Sequence, residues 1–436
     1  MEIIPVRDVR RGMFVADLDR PWVETPFPLQ GFLVEDDAQI ATLQEYCFAV
    51  TIDRSRSVGL HHAGRLAAAD PEPRRGPAPA FLRADEAAPD DFPAICRMLR
   101  LEPQSRRYAD LPPIGSSDNQ SRLEPELLYS APIVDDVKKT LRSIRDSIES
   151  EGSADLQMVG NLVGEMAQGV ERNPDAMIWL ARLRSADQYS YDHAVDVSVH
   201  LMVLGRFLGL PARAVETLGL AGLMQDVGKV NLPAEILSKP DTLSEDEYAL
   251  VQSHVASSLE ILVGQAGFSV DVLDIVASHH ERLDGSGYPR RLKGEKLGLH
   301  AELAGLIDSY CAMTRQRHFQ PAVSSQKALE ALIGMRGKKF RAPVVDQFIQ
   351  CIGLYPIGTL VELNSGEVAV VIQQNQVRRL KPRVMIVLGP DKSVERRPRT
   401  VDLIMDPAFG TGQAYRIVKS LPNDAYGLNP AEYYLG

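Results

Sequence analysis

Through the middle of the chain, apolar residues recur every three or four positions. The runs "IVDDVKKTLRSIRDSIE" (133–149), "VDVSVHLMVLGRFLGL" (195–210), "RAVETLGLAGLM" (213–224) and "SEDEYALVQSHVASSLEILV" (244–263) each carry apolar residues at helical spacing. They predict a helical domain over 124–348, with one helix start marked by Ser244 and Glu247 as a capping box. The two ends read differently. "MFVADL", "LQGFLV" and "FAVTID" are short strand-like runs around a helical "DDAQIATLQEYC", which predicts a small α+β domain over 1–54. After Gly353, "TLVEL", "VAVVIQ" and "RVMIVLG" are β-branched runs separated by turn signals such as Asn364-Ser365-Gly366, so 349–436 read as a β-rich segment. Residues 55–123 are rich in Ala, Pro and charge; they bury too little apolar surface to order themselves and read as a flexible linker.

Composition narrows the function. At 436 residues and 44% hydrophobic, the chain can fill several cores. A net charge of −10 and a pI near 5.5 argue against nucleic acid and anionic membrane as partners, since both need an extended basic surface. An anionic ligand would need a local pocket. Cys47, Cys96, Cys311 and Cys351 are far apart and form no C-x-x-C, so they read as reduced thiols. The start "MEIIPVRDVRRGM" has no apolar signal region, and no run approaches the ~18 apolar residues of a membrane span. A cytoplasmic protein is expected.

Candidate chemistry lies in the helical domain. "SHHERLDGSGYP" (278–289) sets His279 and His280 at a helix end before a glycine-rich turn. His193, Asp226 with Lys229, His254 and Asp308 also fall in or beside predicted helices. One ligand per helix could converge on the bundle core, as in other helical metal sites. Four neutral imidazoles and two carboxylates suffice for two ions about 3.5–4 Å apart that share Asp226, a separation suited to activating water against a phosphodiester. His200, one helical face from His193, reads as a core histidine, and His61 and His62 as solvated linker residues.

"QDVGKVNLPAEILSKPDTLSEDEY", "SHVASSLEIL", "HHERLDGSGYP" and "LIDSYCAMTRQRHF" together resemble the HD-GYP family, which hydrolyses the bacterial second messenger cyclic di-GMP. The resemblance runs from Tyr191 to Leu332, and 1–54 resemble the small domain of unknown role that often precedes this one. It implies a mainly α fold: an all-helical HD-type metal phosphohydrolase bundle, here with a small α+β N-terminal domain and a small β-rich C-terminal segment. It implies two divalent ions, iron or manganese. His193, Asp226 and Asp308 would hold one, and Asp226, His254, His279 and His280 the other, with Asp226 bridging. Lys229 would act beside Asp226 and neutralise phosphate, and Arg317 would contact phosphate. Gly287, Tyr288 and Pro289 would form a loop for recognition or for a protein partner, and Asp284 would structure the turn. The resemblance also admits a homodimer.

Several positions depart from the family. Its His-Asp pair is Gln225-Asp226 here, and an amide offers no imidazole lone pair, so one ion should bind weakly. Tyr189 stands where members with three ions carry glutamate, so no third ion is expected. Cys311 replaces the second aspartate of the D-x-x-D-A run, and Gln320 a basic residue. The expected activity is a metal-dependent cyclic di-GMP phosphodiesterase weakened at Gln225. The alternative is a catalytically impaired module that binds cyclic di-GMP and signals without turnover.

Overall fold

The computed structural model describes residues 2–19, 27, 31–58, 61, 123–151, 156–182, 189–239, 241–315, 322–375, 380–404, 414–422 and 425–428. The linker reading falls almost wholly outside these residues, as does His62. Two compact units form, one N-terminal and one containing the helices and the C-terminal strands.

In the first unit, β1 (Glu2–Pro5), β2 (Phe14–Leu18), β3 (Phe32–Leu33) and β4 (Ala49–Ile52) make an antiparallel sheet in the order β1-β4-β2-β3. Helix α1 (Asp37–Tyr46) is capped by Asp36, whose carboxylate accepts from the Gln39 amide. Leu43 from α1 packs with Val15, Val50 and Ile52 from the strands in one apolar core. Strand β1 has no alternating signature of its own; its partner is distant in sequence, with Ile4 opposite Val50.

The second unit opens with α2 (Leu123–Glu151), α3 (Gln157–Arg172) and α4 (Pro174–Arg182). Val134, Val137, Leu141, Ile144 and Ile148 make the buried stripe of α2, the spacing that amphipathic packing requires. There follow α5 (Tyr189–Phe207), α6 (Ala212–Met224), α7 (Ala234–Leu237), α8 (Glu245–Gln252), α9 (His254–Leu262), α10 (Val270–Ser278) and α11 (Leu299–Thr314). Helices α12 (Ser325–Met335) and α13 (Ala342–Ile352) complete the set described. Along α11 nearly every residue from Leu299 to Cys311 is buried, which makes it a central helix.

The continuous run 244–263 forms two helices rather than one. The capping box at Ser244 is present, but α8 stops at Gln252 and α9 restarts at His254. Apolar periodicity alone cannot register such a break, because both pieces keep the helical spacing.

A chain of buried ions ties the helices together. Lys138 on α2 lies 2.7 Å from Asp192 on α5, and Arg315, just past α11, puts Nε 3.0 Å from Asp196 and donates from Nη2 to the Ala181 carbonyl. Burying such charges is costly, so their main effect is to fix the geometry of α2, α4, α5 and the end of α11.

The C-terminal strands β5 (Leu360–Leu363), β6 (Val368–Gln373), β7 (Arg383–Leu388), β8 (Val394–Asp402) and β9 (Ile417–Ser420) form a sheet in the order β8-β7-β6-β5-β9. β5 to β7 are the strands legible in the sequence. β8, "VERRPRTVD", carries charge and Pro398, both tolerated because it is an edge strand. Among the described residues no helix is long and apolar enough to cross a membrane.

Asp175 at the start of α4 accepts from the Gln374 amide just past β6, and burial pushes its carboxyl up to about 6. The fold therefore favours the neutral acid: this contribution is complete below the unfolded value and is lost as pH rises through about 6. Asp175→Asn should stabilise the protein at pH 7.5 by about 1 kcal/mol, after screening of a partly solvated group. The gain should fade between pH 6 and pH 4. Urea denaturation at pH 7.5 and 4.5 checks this, and equal gains at both would refute it.

Candidate metal centre

The site is assembled where helices begin and end. His193 lies in α5, and Asp308 in α11. After α6 the chain turns through Gln225 and Asp226 into a 3-10 turn, Val227–Asn231, that carries Lys229. His254 is the first residue of α9, and His279 and His280 follow the last residue of α10.

The turn is pressed against α9. A Cβ at Gly228 would lie 2.3 Å from the His254 carbonyl oxygen and from the Ser258 nitrogen, so glycine is required by the close approach. The Ser258 hydroxyl accepts from the Gly228 amide and donates to the Gln225 carbonyl. Ser258 thus stitches the turn that carries Asp226 to α9, a role with no signal in the sequence pattern.

Donor atoms of Asp226, His254, His279 and His280 lie within 4.8 Å of one another, as do those of His193, Asp226 and Asp308. Asp226 belongs to both groups. Its Oδ1 is 3.1 Å from His254 Nε2 and 3.8 Å from His279 Nε2, while Oδ2 is 2.7 Å from Lys229 Nζ. His193 Nε2 is 2.9 Å from Asp308 Oδ1, and His280 Nδ1 is 3.9 Å from Asp308 Oδ2.

The tautomers follow from the backbone. His254 Nδ1 faces the Val251 carbonyl at 2.5 Å and His279 Nδ1 the Val276 carbonyl at 2.7 Å. A carbonyl only accepts, so each Nδ1 carries the proton and each Nε2 is left with a lone pair. Both Nε2 atoms and Asp226 Oδ1 are buried without a hydrogen-bond partner. Lone pairs that face one another in this way repel unless a cation lies between them. The residues present therefore fit a divalent metal ion.

Charge agrees with this geometry. Burial alone would raise Asp226, but Lys229 and the facing imidazoles hold its carboxyl well below the usual range. Asp308 is likewise pushed up by burial and held lower overall by His193 and His280. Burial, with His279 adjacent, pushes His280 well below the ordinary imidazole value, so it is neutral and able to ligate.

Gln225 is almost fully buried beside these groups. Its Nε2 donates to Asp308 Oδ1 at 3.3 Å, and its Oε1 has no hydrogen-bond partner. Donor atoms of Asp196, His200 and Cys311 also lie within 4.8 Å of one another. There, however, the Arg315 guanidinium already supplies the positive charge. Arg317 and Gln320 lie outside the described residues, as does the side chain of Tyr189.

A buried cluster of imidazoles and carboxylates at the ends of packed helices defines the class of HD-domain metal phosphohydrolases. A family model described as an HD domain matches residues 175–343, and one described as a domain of unknown function (DUF3391) matches residues 2–159. "Cyclic di-GMP phosphodiesterase PA4108" of Pseudomonas aeruginosa is 31% identical over 98% of this chain and 93% of its own length. "3'3'-cGAMP-specific phosphodiesterase 1" of Vibrio cholerae is 34% identical over 38% of this chain and 39% of its own. "Cyclic di-GMP phosphodiesterase response regulator RpfG" of Xanthomonas campestris pv. campestris is 29% identical over 48% and 56%. The chain belongs to the HD-GYP family. The DUF3391 match runs beyond the 54 residues read as the first domain, through α2 and into α3.

The glycine-rich loop beyond His280 is folded back by a residue that sequence reasoning passed over. Glu281 is fully buried, and its carboxylate accepts from the Arg290 amide at 2.6 Å and the Leu292 amide at 2.8 Å. Inside this loop, Asp284 accepts from the Ser286 amide at 2.8 Å. Gly287 packs against the backbone of 280–282: a Cβ there would lie 2.4 Å from the His280 oxygen. Tyr288 then returns its amide to that oxygen at 3.2 Å and tilts its ring over His280, with centroids 4.6 Å apart. Pro289 follows it, exposed. Glu281→Ala would leave two amides without acceptors, at about 1–3 kcal/mol each when buried. Hydrogen exchange at Arg290 and Leu292 should quicken and the melting temperature should fall. Unchanged exchange would show that the loop is held by other contacts.

Proposed function

We propose that the chain is a metal-dependent phosphodiesterase that hydrolyses cyclic di-GMP at a two-metal centre. The observation that carries this is the pair of unprotonated Nε2 atoms, on His254 and His279, facing an unpartnered oxygen of Asp226. In this reading Asp226, His254, His279 and His280 would hold one ion, and His193, Asp226 and Asp308 the other. Two divalent ions, iron or manganese, would supply an acidified water and polarise the phosphoryl oxygen. The chain's own residues prepare that chemistry. Backbone carbonyls of Val251 and Val276 keep two imidazoles in the ligating tautomer. Lys229, now paired with Asp226, offers its ammonium to the phosphate, and Arg317, outside the described residues, would take the same part. The loop at Gly287, Tyr288 and Pro289 borders the pocket and offers a protein partner a contact. The setting is cytoplasmic, and a homodimer is compatible with this assignment.

Gln225 shapes the weaker site. An amide oxygen is a harder ligand than imidazole, which lowers affinity for iron more than for manganese. The second reading, a module that binds cyclic di-GMP without turnover, is favoured by this residue alone, because an amide offers an ion no imidazole lone pair.

His279→Ala and His280→Ala should each abolish hydrolysis of cyclic di-GMP and lower the metal content of the purified protein. Near-wild-type turnover by either folded variant would sink the assignment. Gln225→His should tighten the second ion and raise turnover at least about tenfold, the lower range for changes around a metal. Manganese titration of both proteins, followed by loss of cyclic di-GMP, separates the two readings: tighter metal with no turnover favours the binding module.

A further inference from the structure

Tyr248 contributes little to the core. It lies on α8, a helix with no buried residue, and its side chain is 49% exposed. About half of the ring is left in water, so its contact with the fold is confined to one side. The ring is not remote from the site. It meets Tyr288 edge-on, with centroids 6.2 Å apart and planes at 80°. Tyr288 in turn lies 4.6 Å from His280 at 32° and 6.4 Å from His254. Aromatic rings thus lead from solvent to the histidines, with Tyr248 as the outermost.

Its position is also held. Ser244 and Glu247 close a capping box around the start of α8, and Lys239 pairs with Glu247 at 2.6 Å. At the other end, Val251 gives its carbonyl to the imidazole of His254. The helix that presents Tyr248 therefore positions a proposed metal ligand as well. A fixed, half-exposed aromatic ring beside a phosphodiester site is what a nucleobase needs for stacking, an interaction worth about 1–3 kcal/mol per base.

We propose that Tyr248, with Tyr288 behind it, is a stacking platform for a purine base of a cyclic dinucleotide whose phosphate lies at the metal centre. The proposal rests on the phosphodiesterase reading above. It assigns Tyr248 to substrate binding rather than to bond cleavage. Because every base presents a π-face, the platform should distinguish cyclic dinucleotides from diesters without bases, and not guanine from adenine.

The experiment compares wild-type protein, Tyr248→Ala and Tyr248→Phe, all loaded with manganese. Substrates are cyclic di-GMP, cyclic di-AMP and the base-free diester bis(p-nitrophenyl) phosphate, and equilibrium binding of cyclic di-GMP is measured in parallel. Tyr248→Ala should raise KM, and weaken binding, about tenfold for cyclic di-GMP, with kcat within about twofold, as loss of one stacked base predicts. Any measurable KM for cyclic di-AMP should rise by a similar factor, Tyr248→Phe should behave as wild type, and the base-free diester should be cleaved as before. An unchanged KM and affinity for cyclic di-GMP in Tyr248→Ala would overturn the proposal. So would an equal loss on the base-free diester, which would show that the ring only supports Tyr288. If wild-type protein neither binds nor cleaves cyclic di-GMP, the phosphodiesterase reading itself fails and this proposal falls with it.

Discussion

One buried carboxylate sets the terms for the helical unit. Asp226 presents an oxygen to two imidazole nitrogens that cannot donate to it, because their protons are committed to backbone carbonyls one turn back. Such an arrangement is unfavourable by itself and becomes favourable around a cation. The surrounding structure is what forces it. Gly228 and Ser258 clamp the Asp226 turn to the start of α9, and the turn after α10 delivers two histidines in succession. Rigidity here is a matter of chemistry as well as of stability, since relaxation of any one element would let the lone pairs separate.

The helices and the central C-terminal strands were legible because each carries its own period. Legibility of the site came from a different source, the spaced order of His193, Asp226, His254, His279, His280 and Asp308, which the fold brings into two adjoining groups. What stayed hidden is non-local. Ser258 matters only because Gly228 comes to lie against it, and Glu281 only because the loop returns to offer two amides. Strands β1 and β8 owe their existence to partners rather than to pattern. The break before His254 was also silent, since a helix that stops and restarts after one residue leaves the apolar spacing unchanged.

Two departures from the family take on physical meaning in the packing. Cys311 is fully buried, and burial pushes its thiol well above the ordinary value, so it is neutral. An aspartate there would bring a second carboxylate close to Asp196, whose charge Arg315, His200 and Arg182 already offset. The thiol avoids that repulsion. Gln225 keeps the volume of a buried polar side chain and a hydrogen bond to Asp308, so the site holds its shape while its donor chemistry changes. Substitutions of this kind change the donor chemistry without unravelling the cluster.

Every side chain in the two donor groups lies between His193 and Asp308 in sequence, on elements that follow one another along the chain. The cluster needs no residue from β1 to β9. Its assembly therefore closes over at most the 115 residues that separate His193 from Asp308, without pairing the ends of the polypeptide. In evolutionary terms the segment can be transplanted: joined to different sensory or regulatory domains, it would bring every side chain of both donor groups with it. The V. cholerae and X. campestris relatives match this chain over only part of their length, 39% and 56%.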